Sequence, residues 1–161
     1  MDELEAVRLA ELLEDSGYRF YQEAAGKAEG TNLKGMLLHL AKMEQEHKAT
    51  FHGLYQDLLA GKWNYDDSYL YVEEVEKFFR LLADSAVFPE PEAVPEIVAG
   101  LHSVRDVLEL AIRAEKDSIF FYEKLAQEAR LPATREAAQE LIREELTHLD
   151  DLVKARAALG R

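Results

Sequence analysis

The stretch EDSGYRFY at residues 14–21 is nearly repeated as EKDSIFFY at residues 115–122. The same offset of 101 residues (115 minus 14) relates EQEH at residues 44–47 to ELTH at residues 145–148. The repeat contains no gap, although it spans a predicted helix, a turn and half of a second helix. The chain is therefore predicted to contain two copies of one helix pair, related by an approximate twofold axis.

Apolar residues recur at three- and four-residue intervals in four long segments, which predicts four helices. Ser103 and Asp106 have the spacing of a capping box at the start of the third helix, and Pro132 suits the first turn of the fourth. Short turns join the first helix to the second and the third to the fourth, so each pair is expected to pack antiparallel. The predicted helices cover residues 3–29, 33–60, 103–130 and 132–159.

Residues 61–102 separate the two pairs and are predicted to form a crossover connection. A short helix is expected over residues 68–84, followed by a stretch in which Pro89, Pro91 and Pro95 break regular structure. Four aromatic residues in the crossover are expected to cover one end of the bundle, although a surface for a partner is the alternative: Trp63, Tyr65, Tyr69 and Tyr71.

This organisation predicts an all-α fold, namely a ferritin-like four-helix bundle made from two repeated helix pairs with one long crossover. Residues 1–161 are expected to form a single domain, with the helix pairs at 3–60 and 103–159. Because the crossover is long, the pairs could close within one chain or exchange with a second chain. We expect closure within the chain, since the repeat can complete a bundle locally.

The composition excludes several classes of protein. The 161 residues include no cysteine, so disulfides, thiol catalysis and cysteine-ligated metal sites are excluded within them. A net charge of −13 disfavours binding to nucleic acid or to an anionic membrane. No apolar run is long enough for a transmembrane helix, and the N-terminal residues lack signal-peptide features, so a cytoplasmic protein is expected.

The repeated acidic motifs predict a metal site. A Glu-x-x-His sequence places both side chains on one face of a helix, where they can bind the same cation. Two such pairs and two further glutamates provide the four carboxylates and two imidazoles found in di-iron and di-manganese bundles. The four carboxylates also balance the charge of two divalent ions. The candidate ligands are Glu14, Glu44, His47, Glu115, Glu145 and His148.

The alternative is duplicated surface charge, because a chain with 22 glutamates forms Glu-x-x-His pairs by chance. The register of the repeat favours the metal site, since each pair has a glutamate 30 residues upstream (44 minus 14, and 145 minus 115). The three histidines outside the repeat have no glutamate three residues before them and are expected at the surface: His39, His52 and His102.

Aromatic residues accompany the first glutamate of each copy. Tyr21 and Tyr122 lie seven residues after Glu14 and Glu115, which is two helical turns along the same face. Their hydroxyls could donate hydrogen bonds to ligand carboxylates, and simple core packing is the alternative. Their neighbours in the sequence are expected to be core residues: Phe20 and Phe121.

At these motifs the chain resembles the rubrerythrin family of ferritin-like proteins. The segments LEDSGYRFYQEAA, EQEH, AIRAEKDSIFFYEKLA and EELTH resemble its four metal-binding helices. The resemblance implies that Glu44 and Glu145 bridge two metals. It implies terminal ligands at Glu14, Glu115, His47 and His148, with carboxylate ligands hydrogen-bonded by Tyr21 and Tyr122.

The resemblance also implies a cofactor and a chemistry. The family's usual metal is iron, so two iron ions are expected, with manganese, zinc or a mixed pair as alternatives. The implied reactions are reduction of hydrogen peroxide and oxidation of ferrous iron, so that peroxide or oxygen is the small-molecule substrate. The competing hypotheses are an iron storage or handling protein in a hollow oligomer, and a structural module that the metal merely staples together.

Two features depart from the family pattern. Rubrerythrins carry an extra carboxylate ligand three residues after the third-helix glutamate, where this chain has Ser118, and its repeat partner is Gly17. This departure favours a centre closer to the ferroxidase sites of bacterioferritins. Because no cysteine is available for a rubredoxin-type iron, electrons are expected to come from a separate protein such as a rubredoxin. We expect a homodimer, and no nucleic-acid or membrane partner.

Overall fold

The computed structural model describes residues 2–61, 73–86 and 90–160. These residues form six α-helices and one short 3₁₀-helix, and they include no β-strand. The all-α architecture predicted from the sequence is thereby confirmed. The α-helices are α1 (Glu3–Lys27), α2 (Leu33–Leu59), α3 (Glu73–Ser85), α4 (Val94–Ala99), α5 (Val104–Glu128) and α6 (Pro132–Leu159).

The four long helices form two hairpins, α1 with α2 and α5 with α6, that pack against each other. Ion pairs show that the first hairpin is antiparallel, because Asp15 contacts Lys48 while Glu11, one turn earlier, contacts His52 one turn later. The predicted ends of these helices agree with the observed ones to within two residues. At the start of α5 the Ser103 hydroxyl accepts a hydrogen bond from the Asp106 amide, as the capping motif predicts.

The prediction that the prolines of the crossover break regular structure is wrong for two of them. Pro91 begins a 3₁₀-helix over Pro91–Ala93, and Pro95 lies in the first turn of α4. Proline is tolerated there because the first amides of a helix need no partner within it. Pro89 and the four aromatic residues expected to cover the end of the bundle lie outside the described residues.

The crossover nevertheless contributes to the core. Val94 and Val98 of α4 are buried and pack in the same cluster as Leu37 and Leu108 of the long helices. In α3, Phe79 is fully buried against the opposite part of the core, and residues 68–72 of the helix predicted over 68–84 lie outside the described residues. The crossover therefore covers the bundle at two places along its length.

The apolar core consists of two clusters separated by a polar layer. One cluster includes Phe20 and Leu37, and the other includes Phe51 and Phe121. Phe20 and Phe121 are completely buried, as predicted. Along every long helix the glutamates and histidines of the repeated motifs fall between these clusters, so the fold places a layer of ionisable groups at the middle of the bundle. Within the described residues, no helix is long and apolar enough to cross a membrane.

Candidate metal centre

The polar layer contains all six ligands predicted from the sequence. Helices α1 and α5 each contribute one glutamate, and α2 and α6 each contribute a Glu-x-x-His pair. None of the six is more than 4% exposed, although all carry ionisable side chains. Such burial of four carboxylates requires compensating positive charge. The residues are Glu14, Glu44, His47, Glu115, Glu145 and His148.

Ligand atoms of these residues form two overlapping groups, in each of which all atoms lie within 4.8 Å of one another. Glu44 and Glu145 belong to both groups. Glu14 and His47 complete one group, and Glu115 and His148 complete the other in the same way. Two carboxylates are therefore placed to be shared between two adjacent cations, while each cation would have one carboxylate and one imidazole of its own.

The carboxylate of Glu145 lies between the two imidazoles. Its Oε1 is 3.1 Å from Nδ1 of His47, and its Oε2 is 3.1 Å from Nδ1 of His148. The two rings are nearly parallel, with centroids 5.8 Å apart. Both histidines therefore direct Nδ1 towards the centre of the bundle, and Glu145 presents one oxygen to each side.

The tyrosine of each copy of the repeat donates a hydrogen bond to the first glutamate of the other copy. The hydroxyl of Tyr21 on α1 donates to Oε1 of Glu115 on α5 at 2.5 Å. The hydroxyl of Tyr122 on α5 donates to Oε1 of Glu14 on α1. Burial and the nearby carboxylates raise the pKa of each tyrosine well above its usual value, so both hydroxyls remain donors. Their rings also pack in the core, so the two roles considered for these residues coexist.

One oxygen on each of two glutamates has no hydrogen-bond partner within the described residues. These atoms are Oε2 of Glu14 and Oε2 of Glu115, and both are buried. Two other buried carboxylates differ, because Glu3 accepts hydrogen bonds from two backbone amides and Glu11 contacts Arg8 and His52. Both oxygens lie in the layer that contains the two ligand groups, where Nδ1 of His47 is 3.4 Å from Oε2 of Glu14, and this donor set fits a pair of iron ions.

The metal-free cluster compensates its charge with protons. Burial raises the pKa values of Glu44 and Glu115 well above the usual range, and neighbouring carboxylates raise them further. Burial acts to lower the pKa of His47, but Glu14 and Glu145 outweigh it and raise this pKa to about 11. Without metal, His47 is therefore charged at neutral pH, and the raised pKa values of Glu44 and Glu115 favour the protonated forms of these carboxyl groups.

Metal binding should release these protons. A cation displaces protons from its ligands, so its apparent affinity rises with pH and at least the proton of His47 is expected to leave at pH 7. Calorimetric titration in buffers with different ionisation enthalpies measures the number released. A binding heat that is the same in every buffer, together with an affinity that is the same at pH 6 and pH 8, would contradict this assignment.

The structure identifies two residues near the centre whose roles the sequence did not indicate. A Cβ atom on Gly17 would lie 2.7 Å from Oε2 of Glu44, so the glycine leaves the space that this carboxylate occupies. Glu144 accepts a hydrogen bond from Nε2 of His47 at 2.5 Å. The sequence contains one clue to each residue. Gly17 occupies the position in the repeat that corresponds to Ser118, and Glu144 is adjacent to the predicted ligand Glu145.

Gly17 and Ser118 also line a small cavity between α1 and α5, whose wall includes Glu44 and Glu115. Its volume is about 20 Å³, which is room for about one water-sized molecule. The small residues at positions 17 and 118 therefore leave a space beside the candidate ligands.

The histidines outside the repeat lie on the surface, as predicted. His39 and His102 are exposed, and His52 is exposed and contacts Glu11 through Nδ1 at 2.9 Å. None of the three belongs to either ligand group.

The bundle and its central layer are typical of one class of protein, the helical bundles whose buried carboxylates and histidines are compatible with a two-metal site. Residues 5–156 match the family model described as Rubrerythrin. The chain belongs to the rubrerythrin family. Among solved structures, it is similar to a Thermotoga maritima protein described as a candidate ferritin-like diiron-carboxylate protein, with 28% identity and a TM-score of 0.75. The match covers 98% of this chain and 95% of that one, and it confirms the ferritin-like fold. The comparison with curated proteins finds no match.

Proposed function

We propose that the protein is a non-haem di-iron oxidoreductase that uses peroxide or oxygen, either to reduce peroxide or to oxidise ferrous iron. The observation that carries this proposal is the sharing of Glu44 and Glu145 by two ligand groups. Shared carboxylates hold two cations close together, and a structural site for one ion would need no such arrangement. Iron is the metal implied by membership of the rubrerythrin family and by the similar diiron-carboxylate structure.

In this proposal Glu44 and Glu145 would be shared by the two ions, and one glutamate and one histidine would complete the ligands of each ion. When bound, an iron pair supplies one electron from each ion, so that a peroxide can be reduced to water in a two-electron reaction with uptake of two protons. Glu14 and Glu115 are held in place by the hydroxyls of Tyr122 and Tyr21. Burial of all these groups excludes bulk water and strengthens each of the polar contacts.

The cavity beside the ligands supports a small substrate. It borders Glu44 and Glu115, and its volume of about 20 Å³ is room for about one water-sized molecule. The small residues Gly17 and Ser118 leave this space next to both groups of ligands.

We further propose that electrons reach the site from a separate protein such as a rubredoxin, because the 161 residues contain no cysteine for an iron of that type. The proposed assembly is a homodimer, and the proposed location is the cytoplasm. The net charge of −13 supports the absence of nucleic-acid and membrane partners.

Anaerobic loading with two ferrous ions per chain, followed by mixing with hydrogen peroxide or oxygen in a stopped-flow spectrometer, tests the function. The expected result is rapid growth of near-ultraviolet ferric absorbance, with one peroxide consumed for every two ions oxidised. A zinc-loaded sample provides the silent control. Oxidation no faster than that of ferrous iron in buffer would overturn the proposal.

Gel filtration separates the storage alternative from the enzyme. A dimer supports the proposed redox enzyme, whereas a large hollow assembly that accumulates many irons per chain would support storage. Protein isolated from its own host with zinc at the centre, and inert to peroxide after exchange for iron, would support the structural alternative.

A further inference from the structure

The two histidines of the centre have different partners on the side away from the ligand groups. Nε2 of His47 donates a hydrogen bond to Oε2 of Glu144 at 2.5 Å, while Nδ1 faces Glu145 at 3.1 Å. Glu144 reaches this position from the edge of α6, where 35% of its side chain is exposed. His47 is thus held from both ring nitrogens.

The repeat does not duplicate this contact. The residue 101 positions before Glu144 is Met43, whose thioether is only a weak hydrogen-bond acceptor (144 minus 101). Within the described ranges, the hydrogen bond of His148 is made by Nδ1 to Glu145, and no carboxylate is hydrogen-bonded to its Nε2. The six candidate ligands are therefore related by approximate twofold symmetry, but the outer partners of the two histidines are not.

We propose that Glu144 is a positioning residue that makes the half of the centre containing His47 the tighter of the two metal sites. A carboxylate that accepts the Nε2–H bond fixes the tautomer and the orientation of the ring, so that Nδ1 is free to bind the metal. It also raises the basicity of the imidazole ligand. His148 lacks this support, so the two cations are held with unequal affinity. This inference rests on the proposed function, because it requires that both ligand groups bind metal.

Titration with cobalt(II) alone, followed by calorimetry and visible absorbance, tests the affinities. The wild-type protein should bind two ions in two distinguishable steps. Glu144→Ala should weaken the tighter step by about 10- to 100-fold, as is typical when the outer partner of a metal-bound histidine is lost. Glu144→Gln should retain much of the affinity, because its amide oxygen still accepts the hydrogen bond.

Two further variants control for charge and test sufficiency. Glu140→Ala removes the same charge from an exposed position one turn earlier on α6 and should change neither step. Met43→Glu places a carboxylate at the symmetric position and should tighten the weaker step, bringing the two affinities closer together.

Proton NMR of the cobalt(II) protein provides a readout that a merely structural role would not change. The Nε2–H proton of each bound histidine should give a strongly shifted, exchangeable signal. The signal of His47 should exchange slowly with solvent in the wild type and rapidly in Glu144→Ala, and it should persist in the His148→Ala variant. The signal of His148 should be unaffected by Glu144→Ala.

Failure of this inference can be told apart from failure of the proposed function. Wild-type protein that binds no cobalt would contradict the metal centre itself. Wild-type protein that binds two ions while Glu144→Ala leaves both affinities and both exchange rates unchanged would overturn only the role of Glu144. An equal loss of affinity in Glu140→Ala would also overturn it, because the effect would then be one of net charge.

Discussion

Replacing Glu44 with alanine should abolish tight binding of both metals at once. Glu44 is a member of both ligand groups, so the substitution removes one carboxylate from each group. Two cations that lose a shared carboxylate lose a ligand and also the charge that screens them from each other. We expect both affinities to fall by more than ~100-fold, which exceeds the typical effect of an outer partner.

Calorimetric metal titration of three variants checks this result. His47→Ala should weaken one ion preferentially, because His47 belongs to one ligand group only. Ser118→Ala should bind both ions nearly as the wild type does, since Ser118 lines the cavity without belonging to either group. Glu46→Ala is the matched control, because it removes the same charge from an exposed position on the same helix. The assignment is wrong if Glu44→Ala still binds two ions tightly, or if Ser118→Ala is equally damaging.

Removal of the metals should lower the melting temperature by roughly 10 °C or more. Only the folded state brings the six candidate ligands together, so metal binds the folded state and not the unfolded one. Metal present at about 1,000 times its dissociation constant therefore stabilises the fold by about 4 kcal/mol for each site. For a chain of this size each kcal/mol corresponds to about 2–4 °C. Without metal, the carboxylates stay buried beside each other, and burial raises the pKa values of Glu44 and Glu115.

Thermal unfolding followed by circular dichroism, with and without a chelator, measures this difference. The Glu44→Ala variant serves as the control, because its melting temperature should respond little to the chelator. Equal melting temperatures for the metal-loaded and metal-free wild type would mean that the buried carboxylates do not contribute to a shared metal site.

The fold could be predicted because the apolar residues are periodic along the helices and the helix pair is repeated in the sequence. Four long segments with helical periodicity, and one repeat that aligns without a gap, leave few arrangements other than two paired hairpins. The crossover was less predictable, since local composition does not show whether a proline begins a helix or prevents one. Pro91 and Pro95 occur at helix starts because buried residues such as Val94 and Val98 fix the short segment against the bundle.

The parts of the candidate site that occur in both copies of the repeat could be predicted from the sequence, and the part that occurs in one copy could not. Each copy contains three of the six candidate ligands and one of the two tyrosines, so the repeat separates them from the many other acidic residues. Glu144 is present in one copy only, and Asp150 and Asp151 are closer in sequence to His148, at two and three residues, than Glu144 is at four. The structure places Asp150 in an exposed ion pair with Lys154. Only the packing of α6 against α2 shows that Glu144 reaches His47.

Metal content per chain is the most direct test of the central claim that the bundle holds two adjacent cations on shared carboxylates. Protein reconstituted anaerobically with ferrous iron, freed of excess metal and analysed by mass spectrometry for metal and protein together should contain two ions per chain. The Glu44→Ala variant prepared in parallel should contain almost none. A wild-type value of one or zero would contradict the account.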